Sequence, residues 1–213
     1  MRGDPIDPLQ GGRPTCYACM RPTSHCICSL VTSITAHCNV LILQHPHEWK
    51  KYYNTAKLVA RSLTNARVMR GVFFEESSIV SALEGQQPYL LYPGAESIDC
   101  QEVHLDSTST VIVIDGTWSE AGKIVFRNPL LQRFPRISFK TTLESNYRIR
   151  KQPKRGYLST IESIGHLLQL NARANGLLQQ ADSYDVLFSA FSKMVDQQLN
   201  YFPRMHKGNS TKI

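Results

Sequence analysis

From Asn39 onward, short β-type apolar runs alternate with stretches of helical periodicity. The runs predict strands over 40–43, 67–72, 89–92, 111–114 and 137–139. Between them, Ala56, Leu58, Val59 and Leu63 share one face of a helix over 54–63, and a second helix follows over 119–126. Two longer helices close the chain. One opens on Ser159-Thr160-Ile161-Glu162, a capping box, and carries Ile164, Leu167, Leu168 and Leu170. The other starts near Ser183, carries Val186, Leu187, Ala190, Phe191, Met194, Val195 and Leu199, and ends before Pro203. Alternation of this kind predicts an α/β domain with a mainly parallel sheet and helices on both faces. No internal repeat is present.

The patterning divides the chain into a flexible arm over 1–15, a cysteine-rich segment over 16–38, an α/β domain over 39–203 and a tail over 204–213. With 42% hydrophobic and 19% charged residues, the 213-residue chain can bury a core. The formal charge of +7 draws it toward polyanions such as RNA or an acidic membrane surface. No apolar run approaches the roughly 18–20 residues of a membrane span, and Met1 to Arg13 lacks the apolar stretch of a secretory signal.

Cys16, Cys19, Cys26 and Cys28 fall within thirteen residues, while Cys38 and Cys100 stand apart. This is not the even distribution of a secreted disulfide scaffold, so a cytoplasmic location is expected. Four clustered thiols suit a closed tetrahedral Zn²⁺ site. The C-x-C pair is tight, so nearby His25, His37 or Cys38 could replace one ligand. Buried cysteines without metal and a redox C-x-x-C are the other readings; no helical pattern follows Cys19 as redox use would require.

The strand over 111–114 runs into Asp115-Gly116-Thr117-Trp118. Ligands of open α/β sheets bind outside the carboxyl ends of strands, so a carboxylate there is a candidate for chemistry. An ordinary turn that caps the next helix is the bland alternative. This D-x-T-W sequence resembles the defining motif of the DTW-domain family of tRNA-uridine aminocarboxypropyltransferases. The likeness extends to the four-cysteine cluster, Glu48 with Asn54-Thr55, Leu90-Leu91-Tyr92-Pro93-Gly94, residues 115–127, Tyr147-Arg148-Ile149-Arg150 and Leu158-Ser159-Thr160-Ile161-Glu162. Gly122 departs from it, since family members often carry a long basic side chain there.

The resemblance implies a relative of the SPOUT methyltransferases, with a carboxyl-terminal trefoil knot. It also implies S-adenosylmethionine as donor of a 3-amino-3-carboxypropyl group to N3 of a tRNA uridine. An RNA methyltransferase of the same fold and a non-catalytic zinc-containing RNA-binding protein are the alternatives. Asp115 is then the expected catalytic residue, either removing the uracil N3 proton, with partial burial by Trp118 making it a stronger base, or mostly orienting the N3–H. Leu91, Tyr92, Pro93 and Gly94 are expected to bind the donor, together with Asp115, Gly116, Thr117, Trp118, Leu158, Ser159 and Thr160. Free amides at 158–160 would meet the donor's carboxylate.

Five cations, Arg148, Arg150, Lys151, Lys154 and Arg155, lie within 146–155 and are expected to contact tRNA phosphates. Trp49 could stack on a uracil. The chain's short length resembles family members that modify the tRNA variable loop; the oligomeric state is not legible.

Overall fold

A computed structural model describes residues 14–19, 21–51, 53–140, 145–149 and 158–206, the stretch 201–206 by backbone alone. Two short strands, β1 (Thr15–Cys16) and β2 (Arg21–Pro22), form an antiparallel hairpin. The chain then builds the main sheet and its covering helices in the order β3 (Asn39–Gln44), α1 (Pro46–Trp49), α2 (Thr55–Ser62), β4 (Ala66–Arg70), α3 (Glu76–Leu83), β5 (Gln87–Leu91) and β6 (Ile98–Asp99). It continues through β7 (Ser109–Asp115), α4 (Trp118–Arg127), α5 (Pro129–Arg133), β8 (Arg136–Ser138), α6 (Thr160–Ala174), α7 (Leu178–Ser183) and α8 (Asp185–His206).

The six-stranded sheet has the order β4-β3-β7-β5-β8-β6, and each neighbouring pair is parallel. Its centre is β3 and β7, which are apolar and buried along nearly their whole length, as strands covered on both faces must be. Val40, Ile42, Val111 and Val113 point to one face, where α2, α6, α7 and α8 pack. Leu41, Leu43 and Ile112 point to the other, under α3, α4 and α5. From β3 the chain crosses to β4 on one side, whereas from β7 it crosses toward β8 on the other. The carboxyl ends of β3 and β7 are therefore the topological switch point, where such sheets open a crevice.

Five expected strands are present with ends shifted by a few residues. Strand β6 and the β1–β2 hairpin were not expected, because two-residue strands carry no periodicity. The short helices α1, α5 and α7 and the two-turn α3 were likewise not expected. Helix α8 runs through Pro203 to His206, where an end before Pro203 was expected. A proline removes one amide donor, and this close to a helix end few bonds remain for it to break. Threading of the expected trefoil knot depends on 141–144 and 150–157, which lie outside the described residues, as do the arm up to residue 13 and the tail from 207.

Helix α6 begins at the expected capping box, with Glu162 Oε2 accepting from the Ser159 amide at 2.8 Å. Glu162 Oε1 also accepts from the Asn146 amide at 2.7 Å, tying the helix start to the segment before it. Further along, Gly165 admits the Phe188 ring of α8. A Cβ there would lie 2.6 Å from Phe188 Cζ, with two more ring atoms within 3.2 Å. Gly165→Ala is expected to cost about 1–3 kcal/mol through overpacking. A urea midpoint that falls at unchanged slope would show it; an unchanged midpoint would mean the α6–α8 contact is loose.

Candidate active site

Three positions adjoin across the carboxyl edge of the sheet: Arg70 of β4 pairs with Gln44 of β3, and Gln44 pairs with Asp115 of β7. In-register parallel strands put all three side chains on the same face. Asp115 is 4% exposed, and three neutral donors hold its carboxylate. Gln44 Nε2 and Asn54 Nδ2 each donate to Oδ2 at 2.8 Å, and Thr160 Oγ1 donates to Oδ1 at 2.5 Å. Asn54 serves twice, because its Oδ1 accepts from the Lys57 amide and caps α2. A buried carboxylate is tolerated only when its lone pairs are satisfied, and here β3, α2 and α6 supply the donors. Trp118, expected to help bury Asp115, is 48% exposed and leans on Tyr92 at 6.1 Å between ring centroids.

Two cavities adjoin here, and Asp115 lines only the smaller of them. The larger, about 200 Å³, lies beyond the ends of β5, β7 and β8. It brings together Leu91, Tyr92, Pro93, Gly116, Trp118, Leu158 and Thr160 from the expected donor-binding set. Phe139, Ser138 and Ser163, which carried no site signal in the sequence, and Ala121, from the 115–127 stretch, complete much of the wall. The smaller cavity, about 50 Å³, is polar and holds Asp115, Ser159, Glu48, Asn54 and Tyr147. Gly116, Leu158 and Thr160 line both cavities.

Thr117 and Gly94 line neither cavity. Thr117 caps α4 in a capping box with Glu120. A Cβ on Gly94 would meet Arg136 Nη1 at 3.3 Å, so it sits against that side chain. The Ser159 amide, expected to be free for a ligand, is bonded to Glu162, as a capping box requires.

At the amino-terminal end, the Sγ atoms of Cys16, Cys19, Cys26 and Cys28 lie within 4.8 Å of one another. Cys16 and Cys28 are 3.7 Å apart, Cys19 and Cys26 3.8 Å. A tetrahedron with metal–sulfur bonds of about 2.3 Å has edges of about 3.8 Å, so the four thiols could hold a metal ion. The Cys28 amide points at Cys26 Sγ at 3.5 Å, as a C-x-C chelate allows. His37 is not needed as a ligand: its ring nitrogens meet Tyr184 Oη at 2.6 Å and Asn171 Oδ1 at 3.0 Å. The Cys19 amide draws the Cys16 thiol down to about 6, whereas burial raises Cys26 and Cys28.

Beside the thiols lies Arg21, 1% exposed, with one bond to Gln198 Oε1 at 3.2 Å and two guanidinium nitrogens unpartnered. Its favourable charge neighbours are Cys19, Cys26 and Tyr147. A metal held by four thiolates carries net negative charge, which would offset this buried cation. Cys19 and Ile27 join the core formed with α2, α6 and α8, so the segment packs on the domain.

Of the five expected RNA-contacting cations, Arg148 forms an ion pair with Asp196 of α8, both half exposed. Arg150, Lys151, Lys154 and Arg155 lie outside the described residues. The Trp49 ring carries Arg70 Cζ at 3.0 Å and Lys57 Nζ at 4.0 Å from its centroid. Glu48 is buried and paired with Lys51 at 2.5 Å. Among the described residues no helix is long and apolar enough to cross a membrane.

The family model described as DTW domain matches residues 13–199. The chain is 34% identical over 181 residues to tRNA-uridine aminocarboxypropyltransferase 2 of Macaca fascicularis, covering 80% of this chain and 60% of that protein. It is 35% identical to the Mus musculus protein of the same name, over 76% of this chain and 58% of that one. To tRNA-uridine aminocarboxypropyltransferase A of Arabidopsis thaliana it is 24% identical, over 91% and 84% of the two chains. No solved structure matches. The chain thus spans about 60% of the length of the two mammalian relatives. A match over residues 13–199, which holds both the four-cysteine cluster and the Asp115 strand end, establishes that the chain belongs to the DTW-domain family.

Proposed function

We propose that the protein transfers the 3-amino-3-carboxypropyl group of S-adenosylmethionine to N3 of a tRNA uridine. The observation that carries this reading is the Asp115 carboxylate, buried, held by three donors and lining a small polar cavity that shares Gly116, Leu158 and Thr160 with the larger slot. The slot suits a nucleoside: Leu91, Pro93, Trp118 and Phe139 offer apolar walls, and Tyr92, Ser138 and Ser163 offer hydroxyls. S-adenosylmethionine, when bound, supplies an electrophilic carbon beside its sulfonium, and methylthioadenosine leaves.

Uracil N3 bears a proton at neutral pH and needs an acceptor as it becomes a nucleophile. The three donors leave Oδ1 of Asp115, which has a single partner, with lone-pair capacity for that N3–H. Because Gln44, Asn54 and Thr160 fix the carboxylate before substrate arrives, no reorganisation is needed at the moment of transfer. Which carbon of the donor reacts is then a matter of how the slot orients it.

Zn²⁺ fits the four thiols, with no open position for catalysis, so its proposed role is to hold the amino-terminal segment on the core. The division into a metal segment over 16–38 and a catalytic domain over 39–203 belongs to the same proposal, as does tRNA contact by 148–155. Incubation with tRNA and the donor is expected to yield a uridine nucleoside enlarged by the aminocarboxypropyl group. Donor binding with uridine unchanged in mass, across a full set of tRNAs, would refute the reading.

A further inference from the structure

On the far side of Gln44 from the donor slot lies a third cavity, about 170 Å³, lined by Ala18, Cys19, Gln44, Trp49, Lys57 and Arg70, with Arg61 at its back. It shares no lining residue with either cavity at Asp115. Its charged side chains are cationic, with the Cys19 sulfur as the one anionic candidate in the wall. Three cations converge on it, no carboxylate lines it, and among the described residues none of the three has an ion-pair partner. Arg61 is turned inward, donating to the Ala18 carbonyl at 2.8 Å with its Nε buried and unpartnered. Lys57 and Arg70 instead lie over the Trp49 ring, at 4.0 and 3.0 Å from its centroid. The ring's negative quadrupole attracts both cations and offsets part of their mutual repulsion. Burial, and next the Arg70 charge, lowers the Lys57 ammonium from its ordinary value. An anion in the cavity that both line would offset the two charges.

We infer that this cavity seats a backbone phosphate of the RNA substrate, held by Lys57 and Arg70, which both line it. The inference rests on the tRNA reading above and adds a binding point separate from residues 148–155. Geometry assigns the phosphate to the neighbourhood of the reacting nucleotide. Arg70, Gln44 and Asp115 occupy adjacent strands in register, so Arg70 and Asp115 are separated by two strand spacings, about 10 Å. That is the scale of one nucleotide, from a backbone phosphate to the far edge of a base. Across the sheet edge the order is phosphate seat, acceptor carboxylate, donor slot. Guanidinium and ammonium groups are the ordinary partners of phosphate oxygens.

The test is tRNA binding by the full chain across a salt series, comparing wild type with the Lys57→Gln/Arg70→Gln double variant. With one phosphate no longer neutralised, the slope of log affinity against log salt should become shallower by about 1, and binding should weaken about tenfold at 0.1 M salt. S-adenosylmethionine affinity and bound metal should be unchanged, which shows the variant is folded. A charge-keeping Lys57→Arg/Arg70→Lys variant should recover most of the affinity. Wild-type binding that the Gln variant matches in affinity and slope would overturn the phosphate seat while leaving the proposed transfer intact. A wild-type protein that neither binds nor modifies tRNA would overturn both.

Discussion

Asp115→Asn is expected to leave the protein folded and able to bind donor while transfer falls by about 10²–10⁴-fold. The cage around the side chain explains why these effects separate. An asparagine can turn its oxygen toward Gln44 and Asn54, the two donors that meet Oδ2, and aim its amide at Thr160. A hydroxyl accepts as readily as it donates, so Thr160 can reverse its role and no buried group is orphaned. What disappears is the acceptor at Oδ1, because an amide N–H₂ would face the uracil N3–H donor to donor. Asp115→Ala is a blunter change. It leaves the buried Asn54 amide without its acceptor, at roughly 1–3 kcal/mol, while Gln44 keeps its bond to Asn54 Oδ1, so its activity loss would come mixed with instability. Thermal denaturation and donor titration run beside a transfer assay distinguish the cases. Near-wild-type transfer by Asp115→Asn would remove the carboxylate from the chemistry.

The second large effect is expected at the four thiols. Removing the metal with a strong chelator, or replacing a ligand as in Cys19→Ser, should destabilise the whole domain, because Cys19 and Ile27 belong to the same core as α2, α6 and α8. The buried Arg21 adds to the loss. Without metal-bound thiolates it would face neutral sulfur with two unpartnered nitrogens, and an uncompensated buried charge costs about 3–5 kcal/mol. For a chain of this size that lowers Tm by about 6–20 °C. Calorimetry before and after chelation reads it directly, with metal analysis giving one ion per chain. A Tm indifferent to chelation would make the cysteines ordinary core residues.

How far the sequence reached depended on whether a feature was carried by neighbours in the chain. Strands β3 and β7 were legible because a strand covered on both faces must be an unbroken apolar run, and the capping box of α6 was legible as Ser159 and Glu162 three residues apart. Asp115 stood out through its place after such a strand. Gln44 did not, since an amide at a strand end looks like a residue meeting water, yet it is 1% exposed and holds the carboxylate. Nothing local says that β7 inserts between β3 and β5, and that insertion is what sets Arg70, Gln44 and Asp115 in a row. Phe139 and Ser163 join the proposed donor slot for the same reason, arriving from elements distant in sequence. Trp49 carried a stacking hypothesis, whereas the cations over its ring come from α2 and β4 and appear only once the sheet is assembled.

The fate of the donor tests the central claim most directly. Incubating the protein with tRNA and S-adenosylmethionine, then identifying the nucleoside by-product, should reveal methylthioadenosine in equal amount to modified uridine. Accumulation of S-adenosylhomocysteine with a methylated uridine would contradict it, assigning the same fold and slot to methyl transfer.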